Sequence, residues 1–143
     1  MSAPCGADAV DLIRGAFLFK ANAHRDARGE LVAFEQGSNL EFALRRVYYI
    51  NVGSSAVIRA EHACSAEQVI IALAGAVTVD MDNGIEKRSL SLFPGEKALC
   101  VRAGVWLRLR SFQTSTILLV AASRAFADTV YFDTPQPNLI EAI

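Results

Sequence analysis

Two short stretches hold the residue types that can do chemistry in this chain: Arg45-Arg46-Val47-Tyr48-Tyr49-Ile50 and Arg59-Ala60-Glu61-His62-Ala63-Cys64. Together they contain three arginines, two tyrosines and one of the chain's two histidines. A guanidinium fork suits phosphate oxygens, a tyrosine face stacks on rings, and an imidazole moves a proton near neutral pH. The combination fits a pocket for a phosphorylated small molecule and a proton-transfer reaction.

Each residue also has a plainer reading. His62 is either a rim histidine with a satisfied hydrogen bond or a general base, since a neutral imidazole has the basicity that proton abstraction needs. Arg46 and Arg59, on apolar strands, either face an anion or pair with Glu35, Glu61 or Glu67, because an unpaired buried charge is costly. Tyr48 and Tyr49 point to opposite faces of one strand, so at most one lines an interior. Arg102, Arg108 and Arg110 recur in phase with Trp106, as a solvated face or as a pocket wall with Trp106 stacked on a ring. Cys64 reads first as a small buried hydrophobe, and His24 as a solvated residue in a polar loop, 22–28. Glu61, His62, Cys64 and Glu67 could supply a few metal ligands, but their spacing is not that of a metal site, and none is expected. The nucleophile elbow, the phosphate-binding glycine loop and the dinucleotide fingerprint are all absent.

The elements that must position these residues read as strands. Runs rich in Val, Ile and Tyr occupy 31–34, 46–52, 57–59, 68–73, 76–81, 86–92, 97–101, 106–111 and 116–121. Turn residues separate them, and Asn83-Gly84 between two alternating runs is the best hairpin signal. Only 38–44 and the tail after Phe126 suit a helical turn. Many short strands at near-regular spacing predict an all-β sandwich or small barrel, with closure hiding the edges. The apolar run Ala16-Phe17-Leu18-Phe19 predicts a strand over 15–20. Left unpaired, that strand would be a sticky edge suited to a second copy of the chain; pairing within its own chain is the other possibility.

With 143 residues, the chain reads as a single domain, 1–143. A net charge of -1 with no basic block argues against nucleic acid. No apolar run reaches the roughly 18 residues of a membrane span. The start, Met1-Ser2-Ala3-Pro4-Cys5, lacks the charged and apolar regions of a signal peptide. Cys5, Cys64 and Cys100 are odd in number and widely spaced, as expected for a reducing cytoplasm rather than a disulfide framework.

In order and spacing the chain resembles the nucleotide-sugar 3,4-ketoisomerases of the cupin superfamily, the WxcM-like proteins. The matching pieces are Asp26-Ala27-Arg28-Gly29-Glu30-Leu31-Val32-Ala33-Phe34-Glu35, Arg45 through Ile50, His62-Ala63, Glu67-Gln68-Val69, Gly75 through Asp80, Asp82-Asn83-Gly84, Val105-Trp106 and Tyr131, together covering roughly residues 14–135. The resemblance implies a cupin-type jelly-roll barrel of antiparallel strands, a homodimer, and a dTDP-4-keto-6-deoxyhexose substrate from deoxysugar biosynthesis. It also implies a carbonyl shift from C4 to C3 through an enediol, with neither metal nor organic cofactor. Carried over residue by residue, it makes His62, Cys64 and Tyr48 the catalytic candidates. Arg28, Arg46, Arg59, Gln68, Arg102 and Trp106 become the candidates for holding substrate.

One departure stands out. The family pattern Arg-Gly-x-His-Ala-His reads here Arg59-Ala60-Glu61-His62-Ala63-Cys64, so Cys64 replaces the second histidine. The loop to Gln68 is also one residue shorter than the family's. A gap placed before Arg59 would instead put Glu61 and Ala63 on the histidine positions. Two readings follow: a ketoisomerase or related epimerase with His62 as base, or a cupin that holds a nucleotide sugar without turnover.

Overall fold

The computed structural model describes residues 9–95 and 97–141. Cys5 and the rest of the first eight residues, on which the leader expectation rests, lie outside the described residues.

Alternating and β-branched runs form strands β1 (Val10–Ile13), β2 (Ala16–Lys20), β3 (Asn22–Asp26), β4 (Gly29–Ala33), β5 (Arg46–Val52), β6 (Arg59–Cys64) and β7 (Gln68–Ala74). After them come β8 (Val77–Asp82), β9 (Lys87–Leu92), β10 (Lys97–Val101), β11 (Trp106–Arg110), β12 (Thr116–Ala122), a 3₁₀ turn (Phe126–Asp128), β13 (Tyr131–Phe132) and helix α1 (Pro137–Glu141). They make a six-stranded sheet ordered β1-β2-β10-β7-β12-β5, a five-stranded sheet ordered β13-β6-β11-β8-β9, and the separate hairpin β3-β4. Every strand pairing is antiparallel.

The two large sheets face each other over one apolar core. Ile70, Ala72, Leu99, Leu118 and Val120 meet Val77, Val79, Met81, Leu107 and Leu109 there, all buried. Period-2 alternation therefore decides what each strand offers to the interior. On β5, Tyr48 and Ile50 pack against this core, while Val47 and Tyr49 are exposed on the far face. A second cluster covers part of the outer face of the six-stranded sheet, with Phe17, Phe19, Val69, Ile71 and Cys100 beneath Leu40, Phe34 and Phe42. The arrangement is a jelly-roll sandwich rather than a closed barrel.

Three local expectations change. The 15–20 run is no open edge, since β2 pairs with β1 on one side and β10 on the other. Residues 38–44 form turns instead of a helical turn: Asn39 is buried, its side chain accepting from the Glu35 N–H (2.7 Å) and donating to the Ala33 carbonyl (2.9 Å). The polar stretch 22–28 is mostly strand, paired with 29–33 in the hairpin. The hairpin signal at Asn83-Gly84 is realised: the Asn83 side chain accepts from the N–H groups of Ile85 and Glu86, and Gly84 has φ +91. Both are usual for a turn that needs left-handed backbone.

Candidate active site

The site forms where β5 and β7 of the larger sheet approach β6 and β13 of the smaller one. β6 is the unusual element. Its pairing with β11 shifts register, with Leu107 opposite His62 but Arg108 opposite Ala60 and Leu109 opposite Arg59. One extra residue sits on β6, and Ala60 and Glu61 both have left-handed backbone, φ 66 and φ 61. Plain alternation would send positions 59 and 62 to opposite faces. The bulge lets both stand across from core-facing leucines.

Around His62 the side chains interlock. Its ring meets Tyr131 edge to face, centroids 4.8 Å apart. The Tyr131 hydroxyl oxygen accepts a hydrogen bond from Arg46 Nη1 at 3.4 Å. The Arg46 guanidinium lies over the Tyr48 ring at 4.3 Å and the Phe126 ring at 5.1 Å. The Tyr48 hydroxyl in turn accepts from Gln68 Nε2 at 3.1 Å. Arg46, Ala122 and Gln68 occupy one cross-strand row of the larger sheet.

The electrostatics sort these groups by role. Partial burial lowers the His62 pKa, so the imidazole is neutral at neutral pH and free to accept a proton. Burial raises the Tyr48 pKa despite the opposing charge of Arg46, which keeps the phenol protonated. Burial likewise raises the Cys64 thiol, and that thiol donates to the Ala66 carbonyl at 3.6 Å. Arg59 does not depress Cys64: the nearby positive charge is Arg46, and burial outweighs it. The salt bridge to Glu35, Glu61 or Glu67 does not form for Arg46 or Arg59. Among the described residues, no ion pair engages either guanidinium. No group of three or more His, Cys, Asp or Glu among the described residues is placed to hold a metal ion.

The sequence candidates therefore divide. His62, Cys64, Tyr48, Arg46 and Gln68 come together, and Arg59 lies on the same strand at an exposed position. Arg28 sits in the turn of the β3-β4 hairpin, its side chain exposed and paired with Asp26. Arg102 joins the outer cluster, bridging Glu41 (3.0 Å) and Glu67 (3.8 Å) beside Phe17. Trp106 follows the outward phase of β11 with Arg108 and Arg110, whose guanidiniums bind the Asp80 carboxylate. These three stand outside the His62 cluster. Tyr131 and Phe126 were not among the site candidates. A two-residue strand after a 3₁₀ turn leaves no periodic pattern, and Tyr131 showed only as a late aromatic matching the family order.

An antiparallel sandwich with an internal polar cluster of arginine, tyrosine, glutamine and histidine defines a cupin-like small-molecule site. Its relatives agree. Residues 15–138 match the family described as WxcM-like, C-terminal (FdtA), and the chain belongs to that family. It is 34% identical over 107 residues to the TDP-4-oxo-6-deoxy-alpha-D-glucose-3,4-oxoisomerase of Aneurinibacillus thermoaerophilus, covering 74% of this chain and 77% of the relative. The WlaRB TDP-quinovose 3,4-ketoisomerase of Campylobacter jejuni superposes with a TM-score of 0.81 at 28% identity, covering 85% of this chain and 95% of that one. A histidine-to-asparagine mutant of the 3,4-ketoisomerase QdtA from Thermoanaerobacterium thermosaccharolyticum, in complex with TDP-4-keto-6-deoxyglucose, gives 0.78 at 25% identity over 83% and 88% of the two chains.

Proposed function

We propose that this chain is a nucleotide-sugar 3,4-ketoisomerase acting on a dTDP-linked 4-keto-6-deoxyhexose, with His62 as general base. The observation that carries it is the neutral, half-buried His62 joined through Tyr131 to an arginine that has no carboxylate partner among the described residues. A base beside an unspent cation suits a substrate with an acidic C–H near a diphosphate. The family and the ketoisomerase relatives support the same reading.

The chemistry follows from the groups present. The hydrogen on C3 lies next to the C4 carbonyl and is acidified by it. His62 removes it, the C3–H pair forms the C3=C4 bond, and the carbonyl pair moves onto O4. Protonated Tyr48 stabilises the developing oxyanion, as a preorganised donor does. Reprotonation at C4, with O3 losing its hydrogen and O4 gaining one, completes the 3-keto product. Arg46 and Arg59 grip the diphosphate, and Phe126 and Tyr131 offer ring faces. Cys64 serves as a packing residue.

Incubation with dTDP-4-keto-6-deoxyglucose, followed by NMR, tests this reading. The 3-keto isomer should appear, and the C3 hydrogen should exchange in heavy water. Tight dTDP binding without either change would leave only the nucleotide-sugar carrier. The working unit is a cytoplasmic homodimer, whose second copy covers the outer face of the six-stranded sheet, where Val47, Tyr49 and Leu73 are 57%, 71% and 53% exposed. Light scattering at micromolar concentration should give twice the 15.4 kDa chain mass, and a monomer mass would reject the dimer.

A further inference from the structure

We propose that the end of the sandwich away from His62 holds a second binding site, for an amphipathic anion: a phosphate or carboxylate head on a short aliphatic body. This site does not rest on the ketoisomerase reading.

Cross-strand register places it. On the larger sheet Leu18, Leu99, Ile70, Val120 and Tyr48 stand opposite one another in a row that faces the core. Two residues along the strands in one direction, the next inward row runs from Ala16 and Val101 to Gln68, Ala122 and Arg46, beside His62. Two residues in the other direction, on the same inward phase, Lys20 stands directly opposite Lys97. The lysine pair is therefore about 13 Å along the strands from the row that carries Gln68 and Arg46.

Nothing in the sheet itself calls for these lysines. Like charges directly opposite on paired strands repel and destabilise the pairing. Lysine often guards an edge strand, but neither strand is an edge: β1 flanks β2, and β10 lies between β2 and β7. Lys20 ends β2 and Lys97 begins β10, both exposed, and Lys97 forms no ion pair among the described residues.

The pair borders a cavity of about 470 Å³ between the sheets, walled by Leu18, Leu90, Leu92 and Phe93. Leu18 and Leu90 are only partly covered by the core, and Phe93 is exposed. Arg25 lines the same cavity while engaged by Glu30 at 2.7 Å. Among the described lining residues three are cationic and none is acidic.

Charge and shape set the ligand class. An anionic head between the two ammonium groups replaces their repulsion with two charge-assisted contacts. The leucines and Phe93 take an aliphatic body out of water, in a volume ordinary for a small-molecule site. A bare inorganic anion leaves the apolar walls wet, and a cationic amphiphile leaves the lysines opposed.

Octyl phosphate and octanoate, titrated into isotope-labelled protein and followed by NMR, test this, with inorganic phosphate and octylamine as controls. Both octyl anions should bind at least about tenfold more tightly than either control, and less tightly as salt rises. Amide shifts should centre on residues 18–20, 90–93 and 97–99; the tighter of the two anions identifies the head group. Lys97→Met removes the repulsion together with half of the anchor. Its ligand-free Tm should rise by about 1–4 °C, while octyl phosphate affinity should fall about fivefold or more. Octylamine binding as tightly would reduce the cavity to an unselective apolar surface and overturn the proposal. Shifts centred on residues 46, 62 and 131 would place the anion at the His62 cluster, and no shifts at millimolar anion would leave the cavity without a ligand of this class; either result overturns it. So would a lower ligand-free Tm in Lys97→Met, since Lys97 would then already be stabilising the fold.

Discussion

Arg46, the first residue of β5 in the larger sheet, donates from Nη1 to the hydroxyl of Tyr131 in the short strand that ends the smaller sheet, at 3.4 Å. The Tyr131 ring then meets His62. One side chain thus couples the cation proposed to hold the diphosphate with the base proposed to move the proton.

That double contact separates two variants of Tyr131. Tyr131→Phe keeps a ring against His62 and removes only the acceptor for Arg46. It should raise KM a few-fold with kcat nearly unchanged. Tyr131→Ala removes the ring as well, so kcat should fall about tenfold or more as the imidazole loses its orientation. Equal kcat losses in both variants would show that the ring contact does not position His62.

His62→Asn should lower kcat by roughly 10²–10⁴, the usual worth of a positioned general base, with dTDP affinity changed less than about threefold. The pH profile has a definite sign. The folded imidazole has a pKa below 6.5, so it is neutral from neutral pH downward to that lowered value. The kcat/KM should stay flat through pH 7 and fall only on the acidic side of 6.5. The raised Tyr48 pKa predicts no basic limb from that phenol below about pH 10. A half-maximal point above pH 7 would contradict the burial of His62.

Arg46→Ala should weaken dTDP binding about 10- to 100-fold, the range for a hydrogen bond to a charged group at roughly 1.5–3 kcal/mol. Arg46→Lys should restore only part of it. An ammonium keeps the charge but loses the planar stack between Tyr48 and Phe126 and the bidentate fork. Calorimetry at low salt measures both, and full rescue by lysine would mean that charge alone matters.

Much of this arrangement is legible in the chain. Period-2 alternation set Tyr48 and Tyr49 on opposite faces, and turn chemistry located the β8-β9 hairpin at Asn83-Gly84. What alternation cannot register is an added residue. The run 57–59 looked like a strand because of Val57 and Ile58, yet β6 begins at Arg59 and carries a bulge two residues later. Nor does the phase of β11 say which face is the wall. Trp106 and its arginines face outward because Asp80, itself on the outward phase of β8, gathers both guanidiniums there. Arg102, which the resemblance offered as a substrate holder, is instead buried against Glu41 and Glu67, which no local pattern links to it.

The bulge gives the last prediction. Ala60 holds φ 66 where the family pattern has glycine. An L-residue with a Cβ in left-handed backbone costs roughly 1–2 kcal/mol, because the Cβ crowds the following carbonyl. Glycine removes that crowding but loses more backbone entropy on folding, about 0.5–1 kcal/mol. Ala60→Gly should therefore stabilise the fold by up to about 1 kcal/mol, read as a Tm a few degrees higher and a later urea midpoint with unchanged slope. Ala60→Val should do the reverse, since a β-branched side chain tolerates this region least. Because the bulge sets the face on which His62 stands, Ala60→Val should also lower turnover, whereas Ala60→Gly should leave it intact. A destabilised Ala60→Gly variant would mean that residue 60 is not left-handed, and that His62 reaches the site without the bulge.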